Sequence, residues 1–267
     1  MTAKRQEAIT VALVNNKGGV GKTTSAVNLA AGMAIEGLHV LLADLDAQGS
    51  ASLSLGIARA DLLPGAAEVI LEGRLIREAF RPSSVKGLDI LPGSMKLASA
   101  DLTLSDVKGR EAVLKTALKP ILTDYDIMVL DCPPSLGLLT VNALTAADFF
   151  LVPVTLDYLA LEGLVNLMEA VELIRAGIGT AAAPLGFLLT LADYRLNVTE
   201  EIAGMIRKHY GRLVFKTVIP GNVKLKEAPS FGKTIFDYDA GSAGAEAYRE
   251  LTKEVLHRLG RHDIKTA

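Results

Sequence analysis

Short apolar runs rich in valine, isoleucine and leucine recur along the chain between longer segments of helical periodicity. This alternation is typical of β-α-β units arranged around a mostly parallel sheet. The apolar runs predict strands at residues 9–14, 40–45, 88–91, 127–130, 149–154, 185–191 and 215–219. The periodic segments predict helices at residues 22–36, 109–122, 161–178, 198–210 and 244–259. The pattern therefore predicts an α/β fold, in which a twisted and mostly parallel sheet carries helices on both faces.

Nothing in the sequence divides the chain into separate units. No repeat of fixed period, low-complexity tract or linker interrupts it, and the only weakly patterned region is residues 56–100. A chain of 267 residues can bury a large core as one domain, and its 50% hydrophobic and 22% charged composition excludes a disordered protein. We therefore predict a single domain over residues 1–267.

Charge and cysteine content limit the compartment and the partners. The formal net charge is -2, so binding to nucleic acid or anionic lipid would need a local basic patch. The single cysteine, Cys132, excludes an internal disulfide and a paired-cysteine zinc site, and it suits a reducing compartment. The polar start resembles no signal peptide, and the most apolar stretch, residues 138–164, is interrupted by Asn142, Asp148, Pro153 and Asp157. These features predict a cytoplasmic protein.

A glycine-rich segment, Lys17-Gly18-Gly19-Val20-Gly21-Lys22-Thr23-Thr24, joins the first predicted strand to the first predicted helix. Such a turn aims backbone N–H groups at phosphate oxygens, and the helix N-terminus adds its dipole. Lys22 would reach the β- and γ-phosphates of a bound nucleotide, and the Thr23 hydroxyl would bind magnesium. The usual pattern has glycine where this chain has Asn16, and a second lysine, Lys17, follows. The segment therefore predicts a P-loop protein of a variant type that binds ATP and Mg²⁺.

Three aspartates follow predicted strands. Asp44 and Asp46 lie at the end of the second strand, where alternation would turn both side chains toward the γ-phosphate. Asp131 ends the apolar run 127–130, which is the form expected of an acid that holds magnesium through water. Aspartates at strand ends also cap helices and form turns, which is the structural alternative for all three. Their coincidence with the glycine-rich segment favours a hydrolysis site.

These motifs resemble those of the ParA and MinD class of deviant Walker ATPases, and the chain is most similar to the short, Soj-like chromosomal ParA proteins. The similarity covers nearly the whole chain. Besides the glycine-rich segment, it is carried by Asp44-Leu45-Asp46-Ala47-Gln48-Gly49, Asp131-Cys132-Pro133-Pro134-Ser135-Leu136-Gly137, Ile219-Pro220-Gly221-Asn222-Val223 and Glu227-Ala228-Pro229-Ser230-Phe231-Gly232-Lys233. The resemblance implies a single-domain P-loop NTPase that hydrolyses ATP to ADP and phosphate.

The resemblance also implies roles for individual residues. In this family two ATP-bound monomers close face to face as a homodimer, and the lysine that matches Lys17 reaches across to the partner's phosphates. The residue that matches Asp46 orients or deprotonates the attacking water, while those that match Asp44 and Asp131 attend magnesium. As an alternative, Lys17 is an ordinary solvated loop lysine.

Family members bind DNA without sequence preference as ATP dimers, and they release it after a ParB-like protein stimulates hydrolysis. The resemblance therefore implies partitioning of a chromosome or plasmid over the nucleoid. The segment around Pro220 and Asn222 resembles the part of the family that recognises the base. The glycine-rich segment begins too near residue 1 to leave room for a preceding helix-turn-helix domain, so sequence-specific repression is not expected.

Local charge supports DNA binding. Residues 195–233 contain eight basic and three acidic residues, a net charge of +5. Within them, Arg195, Lys224 and Lys226 match family positions that touch phosphates, which would give a salt-dependent affinity for any sequence. The family usually has arginine where this chain has Gly221, so the affinity is expected to rest on the lysines, to be weaker or to be lost. The structural alternative is a solvated basic face.

Three other functions remain open at this point. The same ATPase could position a protein cargo instead of DNA, and sequence does not separate the two. A MinD-like membrane regulator is disfavoured, because the last predicted helix continues into a polar tail with little apolar area to insert, and we expect that helix to pack on the domain. A metabolic ATP-dependent synthase or small-molecule kinase is also compatible with the P-loop. An iron–sulphur reductase is excluded, since it needs two cysteine ligands per subunit.

Overall fold

Eight strands form one sheet within the residues that the computed structural model describes, 6–179 and 182–261. The strands are β1 (Ile9–Leu13), β2 (Val40–Asp44), β3 (Arg81–Pro82), β4 (Leu88–Leu91), β5 (Ile127–Asp131), β6 (Phe149–Thr155), β7 (Ala183–Ala192) and β8 (Val214–Pro220). Their order is β3-β4-β2-β5-β1-β6-β7-β8, and every neighbouring pair is parallel except β3 with β4. The predicted α/β fold is confirmed, and only the two-residue edge strand β3 is new.

Eleven α-helices in the described part of the chain cover both faces of the sheet. The helices are α1 (Lys22–Ile35), α2 (Ser50–Ser54), α3 (Ala66–Glu72), α4 (Ala100–Thr103), α5 (Val113–Leu118), α6 (Leu138–Ala146), α7 (Ala160–Ile178), α8 (Asn197–Tyr210), α9 (Val223–Glu227), α10 (Ile235–Tyr238) and α11 (Ala243–Arg258). One apolar core joins the sheet to α3, α5, α6, α7 and α8. The other joins it to α1, α2, α9, α10 and α11. Burial on both faces explains why the strands are continuous apolar runs.

The sequence-based prediction located five helices; it missed α2, α3, α4, α6, α9 and α10, and it made one helix too long. The predicted helix at 109–122 contains only one α-helical segment, α5, between 3-10 turns at Arg110–Ala112 and Lys119–Ile121. Pro120 explains the early end of α5, because proline has no N–H to donate to the preceding turn. Helix α6 is absent from the prediction because apolar residues surround it, so no polar face marks its period.

Helix α11 packs against α1 and β8. Leu251, Val255 and Leu256 are buried, which confirms that its apolar face packs on the domain. The hydroxyls of Tyr248 on α11 and Ser25 on α1 are hydrogen-bonded at 3.0 Å. These contacts fix the helix that follows the glycine-rich segment. Among the described residues, no helix is both long enough and apolar enough to cross a membrane.

The ends of the parallel strands meet at one edge of the sheet, which we call the carboxyl edge. Asp131 at the end of β5 lies beside Leu13 of β1 on one side and beside Asp44 of β2 on the other. The loops after β6, β7 and β8 emerge at the same edge, because these strands run parallel to β1. Segments far apart in sequence therefore converge there.

Candidate nucleotide-binding and hydrolysis site

The turn between β1 and α1 lies at the carboxyl edge and takes its shape from two glycines with left-handed backbone, Gly19 (φ 73°) and Gly21 (φ 84°). Other residues rarely adopt this conformation. No side chain caps the first turn of α1 and no acidic residue lies in it, which leaves its N–H groups available to an anion. The carbonyl oxygen of Val20 accepts a 2.8 Å hydrogen bond from the Thr190 hydroxyl, and this bond ties the turn to β7. Gly18 is exposed.

The two lysines of this turn point in different directions. Lys22 is only 7% exposed, and its Nζ donates a 3.0 Å hydrogen bond to the carbonyl oxygen of Lys17. Burial lowers the pKa of Lys22, although Asp131 and Asp46 oppose the shift. The Lys17 side chain is 50% exposed, and its Nζ lies 2.5 Å from Oδ2 of Asp157 in the loop after β6. Lys22 thus lies inside its own site, whereas Lys17 lies at the rim.

Asp131 is fully buried, and neither of its carboxylate oxygens has a hydrogen-bond partner among the described residues. Burial raises the pKa of Asp131 well above its usual range, the neighbouring Asp44 raises it further, and the Thr23 hydroxyl opposes the shift. Leaving a buried carboxylate without a partner costs free energy. The arrangement therefore suits a cation between Asp131 and Thr23.

Asp44 is equally buried but is fully satisfied. Its Oδ2 accepts hydrogen bonds from the Ser52 N–H at 2.9 Å and the Ser52 hydroxyl at 2.7 Å, and its Oδ1 accepts one from the Asp46 N–H at 3.2 Å. Burial raises the pKa of Asp44 to about 6 despite these bonds. Strand β2 ends at Asp44, so the expected alternation does not extend to Asp46. Asp46 is half-buried in the next turn, where its Oδ1 accepts from the Gln48 N–H at 2.9 Å.

Gly93 packs directly against this turn. A Cβ atom at position 93 would lie 2.6 Å from the carbonyl oxygen of Asp46 and 2.8 Å from Cγ of Asp44, so no larger residue fits. The Gly93 N–H donates to the Ser52 hydroxyl at 3.1 Å. Asp44, Ser52 and Gly93 together fix the backbone that carries Asp46.

The basic residues predicted to contact DNA have different partners. Arg195 is exposed and forms a bidentate pair with Asp193, with Nε and Nη2 at 2.8 and 2.5 Å from its oxygens. Lys224 donates to Oε2 of Glu227 at 3.0 Å. Lys226 has no ion-pair partner within the described ranges, and it lines a 540 Å³ cavity together with Arg195. Among these three cations, Lys226 is therefore the one whose charge no carboxylate offsets.

A second cavity, of 300 Å³, lies beside the phosphate turn. Gly21, Thr24 and Asn222 contribute to its lining. The Asn222 side chain also caps α9 by accepting two backbone hydrogen bonds, and Pro220 ends β8 two residues earlier. The segment predicted to contact the base therefore lies next to the phosphate turn.

Three side chains of this site do not stand out in the sequence: Ser52, Asp157 and Thr190. Each contacts a motif residue through the fold, and for Asp157 and Thr190 the separation exceeds one hundred residues. A weak sequence signal exists for two of them, since Thr190 is next to the last residue of the predicted strand 185–191 and Asp157 follows the predicted strand 149–154 by three residues. Ser52 carries no such signal.

Comparison with known proteins decides the family. Residues 8–181 match a family model described as AAA domain. The sporulation initiation inhibitor protein Soj of Bacillus subtilis is 44% identical over 245 residues, which are 92% of this chain and 97% of Soj. The chromosome partitioning protein ParA of Myxococcus xanthus is 41% identical over 248 residues, which are 93% of this chain and 88% of that protein. The chain belongs to the Soj/ParA family of chromosome-partitioning ATPases.

A solved structure with a bound nucleotide and metal is also similar to this chain. Cobyrinic acid a,c-diamide synthase of Mycobacterium smegmatis, with bound ADP and magnesium, is 32% identical and superposes with a TM-score of 0.82 over 95% of this chain and 96% of that one. The same synthase is known with an ATP analogue and magnesium. This Soj/ParA-family chain is accordingly an ATPase that uses ATP and Mg²⁺.

The residues of this Soj/ParA ATPase fit a magnesium ion. Within the part of the chain that the structure describes, the buried oxygens of Asp131 have no hydrogen-bond partner, and the Thr23 hydroxyl faces them, so these two residues would hold the ion. When bound, magnesium neutralises charge that develops on the β- and γ-phosphate oxygens. No group of three His, Cys, Asp or Glu side chains in the described residues could hold a metal ion, and magnesium sites of this kind draw their other ligands from phosphates and water.

The Asp131→Asn variant of this ATPase should lose part of the pH dependence of its stability. Because the folded-state pKa of Asp131 is raised, the folded chain binds a proton that the unfolded chain releases at about pH 3.9. The resulting stabilisation is present at lower pH and is lost as pH rises through the folded-state pKa. Without nucleotide, the free energy of unfolding should therefore fall less with rising pH in the variant than in the wild type. The difference between the two proteins should be about 1.4 kcal/mol for each pH unit between the folded-state and unfolded-state pKa values of Asp131.

Urea unfolding at a series of pH values measures this difference. Asp106→Asn, which neutralises an exposed aspartate, serves as the control and should follow the wild-type profile. Magnesium should also add to the stabilisation by ADP in the wild type but not in Asp131→Asn. Identical pH profiles for Asp131→Asn and the wild type would mean that Asp131 is not held at a raised pKa.

Proposed function

We propose that this ATPase works as a dimer in which two copies close face to face around two ATP molecules. The observation that carries the proposal is the divergence of Lys22 and Lys17. Lys22 is buried and bonded within its own turn, while Lys17 lies at the exposed rim of the site. From the rim, Lys17 reaches phosphates bound by a second copy. Because each subunit then needs the other's nucleotide, dimerisation depends on ATP.

Exposed apolar side chains at the carboxyl edge support a face-to-face dimer. Tyr158, which is 92% exposed, and Leu159 follow β6, while Tyr194 and Leu196 follow β7. Aromatic residues are enriched at protein interfaces, and contiguous apolar patches usually mark them. All four residues lie in loops at the same edge as the phosphate turn. Closure of a second copy over this edge would bury them together with the nucleotides.

Each site then hydrolyses ATP by positioning and charge stabilisation. Lys22 and the N–H groups of the turn bind the β- and γ-phosphates, and Thr23 and Asp131 hold magnesium. Asp46 orients the attacking water or accepts its proton, since it alone of Asp44, Asp46 and Asp131 remains partly exposed. Asp44 acts behind Asp46 by bracing its turn and lies close to the magnesium site.

The ATP dimer binds DNA without sequence preference and partitions a chromosome or plasmid over the nucleoid, in the cytoplasm. A ParB-like partner stimulates hydrolysis and so releases the DNA. Relatives at 41% and 42% identity carry names for chromosome partitioning, which supports this role. Lys226 supplies an unpaired charge to the DNA face, and Arg195 and Lys224 contribute after exchanging Asp193 and Glu227 for phosphates. Gly221 adds no charge.

One titration tests the dimer and the DNA binding together. A labelled duplex of arbitrary sequence is titrated with the protein in ATP, in ADP and without nucleotide, all with magnesium and at one salt concentration. We expect tight binding in ATP alone and equal affinity for an unrelated duplex. Equal binding in all three nucleotide states, or none in ATP, contradicts the proposal.

Lys226→Ala and Arg195→Ala should each weaken binding to all DNA sequences alike. Loss of one phosphate contact lowers the slope of log affinity against log salt by about 1. Arg195→Ala should weaken DNA binding less than Lys226→Ala does, because Arg195 already pairs with Asp193 in the DNA-free protein. Lys253→Ala on α11, which removes a lysine paired with Glu250, is the control. If both variants kept the wild-type slope, neither Lys226 nor Arg195 would contact DNA, and the DNA-binding surface would lie elsewhere on the protein.

A protein cargo in place of DNA is the nearest alternative, and it needs the same ATP-dependent dimer. A neighbouring gene for a ParB-like protein, or hydrolysis stimulated by that protein, favours partitioning. A MinD-like membrane regulator predicts flotation with liposomes in ATP. We expect no stable membrane association.

The likeness to a metabolic synthase supports a second candidate function. Its sequence identity of 32% is below the 41% and 44% of the ParA and Soj proteins, so the shared nucleotide site explains the likeness better than a shared reaction. ATP turnover that depends on a small metabolite, and not on DNA or a ParB-like protein, would favour the synthase.

A further inference from the structure

An ion pair at the rim of the site has no place in the hydrolysis scheme. Lys17 Nζ lies 2.5 Å from Asp157 Oδ2, and both side chains are about half exposed. Asp157 follows β6, on the other side of β1 from the magnesium-site carboxylates that follow β5 and β2. It is therefore remote from Asp131 and Asp44 and close to Lys17.

Asp157 is itself held in place for this contact. The Thr155 hydroxyl donates to the same carboxylate oxygen at 2.8 Å. Partial burial opposes the ionisation of Asp157, but the hydrogen bonds from Lys17 and Thr155 prevail and lower its pKa. The carboxylate is thus charged and oriented toward the lysine.

The backbone of Lys17 is anchored to the same strand. Its N–H donates to Oδ1 of Asn15 at 2.9 Å, and Nδ2 of Asn15 donates to the carbonyl oxygen of Pro153 in β6 at 2.7 Å. Both ends of Lys17 are therefore tied to β6 and its following loop. This arrangement keeps the ammonium over its own subunit.

We propose that Asp157 is a positioning residue that holds Lys17 over its own subunit in the monomer and so opposes dimerisation until ATP is bound. The inference rests on the proposed delivery of Lys17 to the partner's phosphates. On closure, Lys17 exchanges one carboxylate oxygen for phosphate oxygens of the partner's nucleotide. ATP provides a stronger charge than Asp157 does, so the exchange proceeds with ATP and not without it.

The strength of the restraint follows from the exposure of the pair. Exposed ion pairs contribute little, equivalent to a factor of about 1.4 to 5 in an equilibrium constant. Each dimer breaks two such pairs, so the effect on the dimer dissociation constant is the square, about 2-fold to 30-fold. This restraint is small enough for ATP to overcome and large enough to measure.

The Asp157→Asn variant tests the proposal. Asparagine keeps an oxygen to accept from Thr155 but removes the charge that holds Lys17. Sedimentation velocity with magnesium and a non-hydrolysable ATP analogue should give a dimer dissociation constant about 2-fold to 30-fold lower than that of the wild type. Asp157→Glu restores the carboxylate and should return the constant to within about 2-fold of the wild-type value.

Two controls separate this mechanism from a general change of charge or structure. Glu250→Gln breaks another exposed ion pair, with Lys253 on α11, and should leave the dissociation constant unchanged. In the Lys17→Ala background, measured at a protein concentration high enough for its weakened dimer to form, Asp157→Asn should no longer strengthen the dimer, because the lysine on which Asp157 acts is gone. A gain that persists in this background would overturn the proposal.

A second measurement examines the monomer alone. In nucleotide-free protein, acylation of Lys17 by a water-soluble reagent, followed by mass spectrometry, should be faster in Asp157→Asn than in the wild type. An unchanged rate, or a dimer that is no tighter in Asp157→Asn while the wild type dimerises, overturns the role of Asp157 only. Failure of the wild type to dimerise contradicts the proposed ATP-dependent dimer and, with it, the role of Asp157.

Discussion

Asp46→Ala should lower ATP turnover by about 100-fold to 10,000-fold while leaving ATP binding and dimer closure intact. Asp46 belongs neither to the phosphate turn nor to the magnesium site of Thr23 and Asp131, so its loss should remove no contact to nucleotide or magnesium. Its carboxylate is partly exposed, whereas those of Asp44 and Asp131 are buried. The variant should therefore accumulate as an ATP dimer that stays bound to DNA. Single-turnover hydrolysis measures the loss of turnover, and light scattering in ATP measures whether the dimer still forms.

Asp46→Asn is the matched control for this prediction. Asparagine can still accept the hydrogen bond from the Gln48 N–H, so the turn keeps its shape, but it cannot accept a proton. Turnover as slow as in Asp46→Ala assigns the effect to the carboxylate chemistry. Turnover near the wild-type rate in Asp46→Asn would reduce Asp46 to a turn-forming residue, and normal turnover in Asp46→Ala would remove it from the mechanism.

Lys17→Ala should bind ATP yet remain monomeric. The carbonyl oxygen of residue 17 accepts the hydrogen bond from Lys22, and alanine retains that carbonyl, so the phosphate turn keeps its internal contact. Dimerisation loses two charge-assisted contacts, each worth about 1.5–3 kcal/mol, so the dimer dissociation constant should rise by at least about 100-fold. Light scattering in ATP, together with a fluorescent-nucleotide titration, measures the two properties separately.

Lys22→Ala supplies the contrast for Lys17→Ala. It removes the buried cation of the same turn and should abolish nucleotide binding in the monomer. If Lys17→Ala lost ATP binding to the same extent as Lys22→Ala, Lys17 would bind the nucleotide of its own subunit and not that of the partner. If Lys17→Ala formed the ATP-dependent dimer as readily as the wild type, Lys17 would have no role in dimerisation.

The sequence predicted the parts of the fold that depend on local pattern. Strand β4 agrees at both ends, and α1 agrees within one residue, because buried apolar runs and a glycine stop are local signals. Gly37, which directly follows the predicted helix at 22–36, has the left-handed backbone that commonly ends a helix (φ 93°). Helix α6 was missed because burial on all sides hides its period. Residues 56–100 were weakly patterned because the short helix α3 lies there among 3-10 turns at Arg59–Asp61, Ile76–Glu78 and Met95–Ser99.

In the site, too, local sequence patterns predicted some features and not others. The glycine-rich segment and the strand-end aspartates are motifs, so their convergence at the carboxyl edge follows from the parallel sheet. The separate environments of the two buried aspartates do not follow from sequence, since Ser52 satisfies Asp44 while no residue within 6–179 and 182–261 donates a hydrogen bond to Asp131. The contact of Lys17 with Asp157 depends on the neighbouring position of β1 and β6 and on side-chain direction, which no local pattern encodes.

A crystal structure with magnesium and a non-hydrolysable ATP analogue tests the central claim most directly. We predict two chains that face each other across their carboxyl edges, with each Lys17 ammonium released from Asp157 and within hydrogen-bond distance of the phosphates bound by the other chain. Separate subunits, in which Lys17 still contacts Asp157 and no lysine of a second chain approaches the nucleotide, would contradict it.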